Sequence, residues 1–149
     1  MLILVAANLG LADETSFSRV KVPNLKGKQT QAVLTFSDND KAVEVRPLKG
    51  DPVNIPYAQI DKCSYEFTKK HRIKTGAIVF FTVSMPAGAI IMATKARSHW
   101  LEIDYHEPDA PAPKVFVLRM HKRDYIRILE ALKAHTGLDA EILGNADKR

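Results

Sequence analysis

Apolar and polar positions alternate along most of the chain, in short runs separated by turn-forming residues. Alternation is clear over residues 43–46 and 100–105, with apolar side chains at every second position. Asp, Asn, Ser and Gly cluster between such runs, as in 37–40 and 49–51. An earlier stretch, 16–22, predicts a peripheral strand. Alternation of this kind is typical of half-buried strands, so we expect six or seven short antiparallel strands joined by hairpins.

The period changes near the C-terminus. Tyr125, Ile128 and Leu132 recur at helical spacing, with Lys133 near the end of the segment and Gly137 just beyond it. Basic side chains in a last turn and a glycine after it are typical of a helix C-terminus. The pattern therefore predicts a mainly β protein with one C-terminal α-helix, in which the helix closes one end of a partly open barrel.

One long segment departs from both patterns, because residues 76–94 contain no ionisable side chain. Nine of these residues have large apolar side chains, and burying them would gain about 15–25 kcal/mol in total. Such a surface must lie in a bilayer, in a protein core, or in an interface with a partner. The composition of the run does not choose among these three environments.

The flanking strands limit how this run can meet a membrane. As one helix, about nineteen residues would be long enough to span a bilayer core. However, strands on both sides of the run belong to the same predicted sheet, and 86–88 (Pro-Ala-Gly) would break a helix near its middle. We therefore expect an apolar hairpin, inserted between two strands, that dips into a membrane and returns to the same side.

Basic residues occur on both sides of the apolar run, as expected for an element whose two ends meet one anionic headgroup layer. The candidate headgroup-binding residues are Lys69, Lys70, Arg72, Lys74, Lys95 and Arg97. The candidate membrane-inserting residues are Ile78, Val79, Phe80, Phe81, Val83, Ile90 and Ile91.

Length and charge fit one basic domain. The chain has 149 residues, a net charge of +5 and a single cysteine, Cys63, which excludes an internal disulfide. We assign a domain to 13–140, with the apolar insertion at 76–94, and a polar tail to 141–149. Residues 1–12 are apolar and are either a signal peptide or a buried N-terminal element. Membrane association is expected, with an exported or periplasmic location favoured over a cytoplasmic one.

No catalytic motif is present in the sequence. The five histidines lack metalloprotease spacing, and there is no nucleophile elbow or phosphate-binding loop. Cys63 is expected to be a small core residue rather than a nucleophile. We therefore expect a protein that is not an enzyme, with no cofactor and no metal site. Nucleic acid is an unlikely partner, because aromatic residues make up only 7% of the chain.

Several segments resemble a group of small, mostly uncharacterised bacterial proteins with a pleckstrin-homology-like (PH/GRAM-like) domain, which are often exported or membrane-associated. The matching segments are IPYAQI (55–60), RIKTGAI (72–78), ATKARSHWLEIDY (93–105), VFVLRM (115–120) and ILEALKAHTG (128–137). The resemblance spans roughly residues 31–140 and implies a PH/GRAM-like barrel closed by a helix. It implies no reaction and no particular ligand.

Two functions remain open at this point. The first is a non-enzymatic PH/GRAM-like module that binds lipid or docks on a membrane through the apolar hairpin and its basic flanks. The alternative is a soluble protein-interaction module that uses the hairpin as an interface with a partner or with a second copy of the chain.

Overall fold

A computed structural model describes residues 14–23, 29–72, 77–80, 83–86, 91–109 and 113–143. Within 70–94 the description covers the backbone of the strands but not the side chains. The segments predicted as 1–12 and as the end of the polar tail, from residue 144, lie outside the described residues.

The chain forms ten strands and one α-helix in the part that is described, together with a 3-10 turn at Tyr57–Gln59. The elements are β1 (Glu14–Pro23), β2 (Gln29–Ser37), β3 (Ala42–Pro47), β4 (Val53–Pro56), β5 (Ile60–Arg72), β6 (Ala77–Phe80), β7 (Val83–Pro86), β8 (Ile91–Tyr105), β9 (Lys114–Met120), α1 (Tyr125–Thr136) and β10 (Glu141–Leu143). The prediction of a mainly β protein with one C-terminal helix is confirmed.

The strands form one sheet in the order β10-β5-β8-β9-β1-β2-β3-β4, with β6 paired to both β7 and β9. The six or seven predicted strands become ten, because β6 and β7 lie inside the apolar insertion and β10 inside the predicted tail. Two pairings, β10 with β5 and β6 with β9, are parallel rather than antiparallel. Strand β1, predicted as peripheral, lies between β9 and β2.

A single hydrophobic core lies on the inner face of the sheet, beneath α1. Leu34, Phe36 and Leu101 contribute to it from the strands, and Ile128 and Leu132 from the helix, each with no measurable exposure. The helix ends as predicted: Gly137 has a positive φ of 78°, and its N–H donates to the carbonyl of Lys133 at 2.8 Å. Cys63 is buried in the same core, as expected.

Strand β8 is buried on both faces along part of its length, which the alternating sequence did not predict. Leu101 and Ile103 face the core, whereas Trp100 lies on the opposite face and is nevertheless fully buried. Its neighbours on that face, Val115 and Val117 of β9, are 1% exposed. Half-burial was inferred from polar residues such as Glu102 at alternate positions, but these positions are also covered.

The apolar run forms the predicted hairpin between β5 and β8, built from β6 and β7. Phe80 pairs with Val83 and Ala77 with Pro86, so the two strands of the hairpin are joined before 86–88, where the sequence pattern predicted a break. The hairpin is joined to the main sheet, since Ala77 and Ile78 pair in parallel with β9. No helix among the described residues is long and apolar enough to span a membrane.

Candidate anion-binding site

A pocket of about 320 Å³ opens where β1, β5, β8 and the end of β9 come together. We call it the basic pocket. Five of its ten lining residues are Arg or Lys, two are His, and none is acidic. It is lined by Arg19, Lys21, Phe67, Arg97, Ser98, His99, Arg119, Met120, His121 and Lys122.

Strand register brings these cations together from distant parts of the sequence. Val20 pairs with Met120 across β1 and β9, and Lys21 pairs directly with Arg119. Because side chains alternate, the core positions Val20 and Met120 leave their neighbours outside the core. Like charges placed directly opposite each other on neighbouring strands destabilise a sheet. The Lys21–Arg119 pair is therefore a cost to the fold rather than a stabilising contact.

Arg19 is held in place at the pocket wall by a buried carboxylate. Its Nε and Nη2 donate to the two carboxylate oxygens of Asp124 at 2.9 and 2.7 Å, and Arg127 donates to the same group at 2.6 Å. Burial raises the pKa of Asp124, but the hydrogen bonds and charges of the two arginines outweigh burial and lower it overall. A bidentate contact of this kind orients the guanidinium as well as neutralising the acid.

Arg97 is also held, but by uncharged groups. Its guanidinium lies over the ring of Phe67, 4.3 Å from the ring centre, and donates to the backbone carbonyl of Phe67 at 2.9 Å. Cation–π contact and a carbonyl acceptor orient the side chain without cancelling its charge. Arg97 therefore presents a full positive charge to the pocket.

His99 forms the floor of the pocket inside a stack of aromatic rings. Its ring centre lies 3.8 Å from that of Tyr125 and 4.4 Å from that of Phe67, and its Nδ1 is 2.6 Å from the hydroxyl of Tyr65. Burial lowers the pKa of His99, so the ring is neutral near neutral pH. The stack joins the pocket to the first residue of α1 and fixes the ring orientation.

His121 offers a hydrogen-bond donor at the pocket rim. Its Nδ1 lies 3.1 Å from the backbone nitrogen of Arg123. A backbone N–H can only donate, so Nδ1 must accept, and in the neutral ring the proton resides on Nε2. His121 therefore adds an N–H donor to the cations around it.

The charges around the basic pocket are unbalanced. Across the described ranges, no carboxylate forms an ion pair with Lys21, Arg119 or Lys122, and Asp124, beside the pocket, is already bound by Arg19 and Arg127. Clustered cations in a concave site concentrate the electrostatic potential there. Guanidinium groups also match the geometry of phosphate and carboxylate oxygens. The arrangement is therefore suited to binding an anion.

The predicted headgroup-binding residues reach this site only in part. Arg97 lines the pocket, whereas Lys69 and Lys95 are exposed on β5 and β8 without lining it. Lys70 and Arg72 lie on β5, with side chains outside the described part, and Lys74 lies wholly outside it. Among the described side chains of the predicted flank, Arg97 is thus the one that lines the pocket.

The predicted membrane-inserting residues are placed by backbone alone. Ile78, Val79 and Phe80 are on β6, Val83 is on β7 and Ile91 begins β8. Phe81 and Ile90 lie outside the described residues.

Sequence reasoning missed four of the five pocket cations. Arg19 and Lys21 come from β1, and Arg119 and Lys122 from the end of β9, far from the apolar run. The available signal was the position of basic residues on each side of Val20, a core residue of a strand. Which strand lies beside β1 could not be read from alternation.

A second polar cluster, the His135 network, lies at the other end of α1. His135 Nδ1 is 2.7 Å from Asp38 Oδ1, its Nε2 is 3.0 Å from Thr15 Oγ1, and its ring stacks on Phe36 with centres 5.5 Å apart. Hydroxyl, imidazole and carboxylate follow the order of a catalytic triad. However, the His135 side chain is 8% exposed, and each of its nitrogens already has a partner. The network therefore fastens the helix to β1 and to the β2–β3 turn.

The comparisons with known proteins add little. No family model matches the chain, and no curated protein matches it significantly. Among solved structures, a chain in "Structure of the Spt16D Pob3N heterodimer" is similar, with a TM-score of 0.48 and 10% sequence identity. The match covers 87% of this chain and about half, 53%, of that one. Within the described residues, no group of three or more potential ligands could hold a metal ion.

Proposed function

We propose that the chain is a non-enzymatic PH/GRAM-like module that docks on anionic membrane surfaces. The observation that supports this most strongly is the basic pocket, in which five cations converge and, among the described residues, only Arg19 is paired with an acid. The antiparallel run of strands followed by a C-terminal helix supports the finer PH/GRAM-like assignment.

The pocket and the apolar hairpin are connected by the β5–β8 pair of strands. The β5–β8 ladder continues outward from Phe67↔His99 to Arg72↔Ile91, where the apolar run begins. The five steps of strand from Phe67 to Arg72 span about 17 Å, which supports a single docking surface for the two features. Each basic residue near an anionic surface contributes about 1 kcal/mol, so the four pocket cations other than the paired Arg19 would together give about 4 kcal/mol. Apolar insertion would add to that attraction.

Co-sedimentation with vesicles tests this proposal. The protein should pellet with phosphatidylcholine vesicles that contain phosphatidylglycerol and stay in solution with pure phosphatidylcholine. Phe80→Ser combined with Phe81→Ser should weaken binding at high salt, where electrostatic attraction is screened. Lys49→Gln, which removes an exposed lysine from the β3–β4 turn, is the matched control and should bind as the native chain does.

The alternative function, a protein-interaction module, has one observation in its favour. Within the described residues, β7 pairs only with β6, so its other edge is open to a strand from another chain. No binding to anionic vesicles, together with a concentration-dependent dimer in light scattering, would support this alternative and overturn membrane docking.

A further inference from the structure

We infer that the basic pocket is a discrete site for a phosphate monoester, not merely part of a diffuse positive surface. This inference deepens the proposed function, because it names the ligand group that the pocket would select on a membrane. The same chemistry occurs in a lipid headgroup with a terminal phosphate and in a free phosphate compound.

The first support is that two of the three pocket arginines are held by contacts before any ligand arrives. Arg19 is clamped by Asp124, and Arg97 is held on the ring and carbonyl of Phe67. Preorganised groups lose less conformational entropy when they bind. A diffuse cationic surface made of extended lysines does not require such supports. The contacts therefore indicate a shaped site.

The second support is the number and kind of donors. Three guanidiniums and two ammonium groups surround the pocket, and His121 Nε2 adds a neutral donor. A phosphate monoester has three terminal oxygens and a charge of about −1.5 to −2 near neutral pH. A phosphodiester or a carboxylate has a single charge and only two charged oxygens, so it would leave more of these cations unbalanced. The charge imbalance therefore favours the dianion.

The third support is size. A volume of about 320 Å³ lies at the lower end of the range for small-molecule sites, which is about 300–1,000 Å³. A phosphate with a small substituent fits such a space. The uncharged lining residues Phe67 and Met120 offer apolar contact to that substituent. The pocket is therefore matched to a headgroup rather than to a polymer.

The repulsion between Lys21 and Arg119, which are paired in the sheet, agrees with this inference. Lys21 and Arg119 are paired across β1 and β9, and no acid among the described residues forms an ion pair with either of them. A dianion bound beside this pair would convert repulsion into attraction. Binding should therefore also stabilise the fold, in proportion to ligand occupancy.

The test compares two anionic lipids on the intact protein. Vesicles contain either phosphatidic acid, a phosphate monoester, or phosphatidylserine, which lacks one, with lipid fractions adjusted to equal zeta potential. We expect about tenfold tighter binding to phosphatidic acid, and we expect Arg119→Gln to remove most of that preference. Lys49→Gln should retain it. A thermal-shift titration of the protein with inorganic phosphate tests the binding of free phosphate, with chloride at equal ionic strength as the control.

The outcomes separate the two proposals. Equal binding to both lipids, with Arg119→Gln no different from Lys49→Gln, would overturn the phosphate site while leaving membrane docking in place. Stabilisation by inorganic phosphate that is lost in Arg119→Gln, without binding to any anionic vesicle, would support the pocket and overturn docking. Neither vesicle binding nor stabilisation by phosphate would overturn both. If Arg119→Gln fails to fold, Lys122→Gln, at an exposed pocket residue, serves the same comparison.

Discussion

The two ends of helix α1 show opposite uses of polar side chains. At its C-terminal end, the His135 network is centred on a largely buried histidine, which is bonded through both ring nitrogens and stacked on Phe36. At its N-terminal end, the basic pocket is open and holds five cations, of which only Arg19 pairs with an acid among the described residues. Both clusters include side chains of β1, Thr15 in the His135 network and Arg19 with Lys21 in the basic pocket.

This difference implies that the His135 network contributes to stability and that the basic pocket contributes to binding. A satisfied and enclosed network stabilises the native state, because breaking it leaves buried groups without partners. An unbalanced and open cluster destabilises the native state slightly and attracts a ligand of opposite charge. Substitutions in the two clusters should therefore give opposite patterns of stability and binding.

The largest effect is expected for His135→Ala. The substitution removes two hydrogen bonds and the stacked ring beside Phe36, and leaves Asp38 and Thr15 without their partner. We expect a loss of about 2–4 kcal/mol in the free energy of unfolding, measured by urea titration. Vesicle affinity measured below the unfolding transition should be unchanged. Full stability in this variant would contradict a stabilising role for the His135 network.

The second-largest effect is expected for Asp124→Asn, beside the basic pocket at the N-terminal end of α1. The native carboxylate is 3% exposed and receives charged hydrogen bonds from Arg19 and Arg127. We expect a loss of about 2–3 kcal/mol in the free energy of unfolding at neutral pH. Asp139→Asn, in an exposed pair with Lys133, should cost about 0.5 kcal/mol or less.

The pH dependence of stability gives an independent check on Asp124. Because its folded-state pKa is lowered, its contribution is fully present above the unfolded pKa of about 3.9 and is lost as pH falls through the folded value. The native chain should therefore lose stability in acid more steeply than Asp124→Asn does. Parallel acid-unfolding curves would show that this carboxylate is not stabilised by the two arginines.

The third substitution, Asp104→Asn, should raise rather than lower the free energy of unfolding. Asp104 has a buried Oδ1 without a hydrogen-bond partner, and burial, followed by the hydrogen bond and charge of Glu102, raises its pKa to about 7. Since the folded form binds its proton more tightly, stability should fall as pH rises from about 4 to about 7. Asp104→Asn should remove this loss and gain about 1–2 kcal/mol above about pH 7.

Urea titrations at both ends of this pH range measure the gain. The exposed Asp51, in the β3–β4 turn, provides the control: Asp51→Asn should give no such gain. A destabilised Asp104→Asn variant above neutral pH would contradict the assignment of an unbalanced acid at this position.

The smallest effect on stability is expected in the basic pocket itself. Arg119→Gln removes one charge from the Lys21–Arg119 pair, so the free energy of unfolding should rise by about 0.5 kcal/mol or less at low salt. Urea titration at low and at moderate salt measures this change. A large loss of stability would mean that Arg119 is a structural residue and not part of an unbalanced site.

The fold was more accessible from the sequence than the site was. Alternation and helical spacing report which face of a local element is buried, and they predicted the strands, the helix and its end at Gly137. They do not report which strands become neighbours. Arg97 was predicted because it flanks the apolar run, whereas Arg19 and Arg119 belong to the site only through the pairing of β1 with β9 beside β8.

Buried polar positions were the second limit of the sequence. Trp100 and Glu102 alternate with core residues and so predicted a half-exposed strand, yet both are buried. The predicted polar tail likewise begins with β10, whose pairing with β5 depends on backbone hydrogen bonds rather than on an apolar pattern. Alternation detects one buried face and carries no information about a second covering layer.

The most direct test of the contrast between the two ends of α1 is a titration of the ¹⁵N-labelled protein with inorganic phosphate at constant ionic strength, followed by amide NMR. We predict saturable shifts at residues 19–21, 97–99 and 119–122, and no shifts at Thr15, Asp38 or His135. Shifts spread evenly over all exposed lysines, without saturation, would contradict a ligand site in the basic pocket.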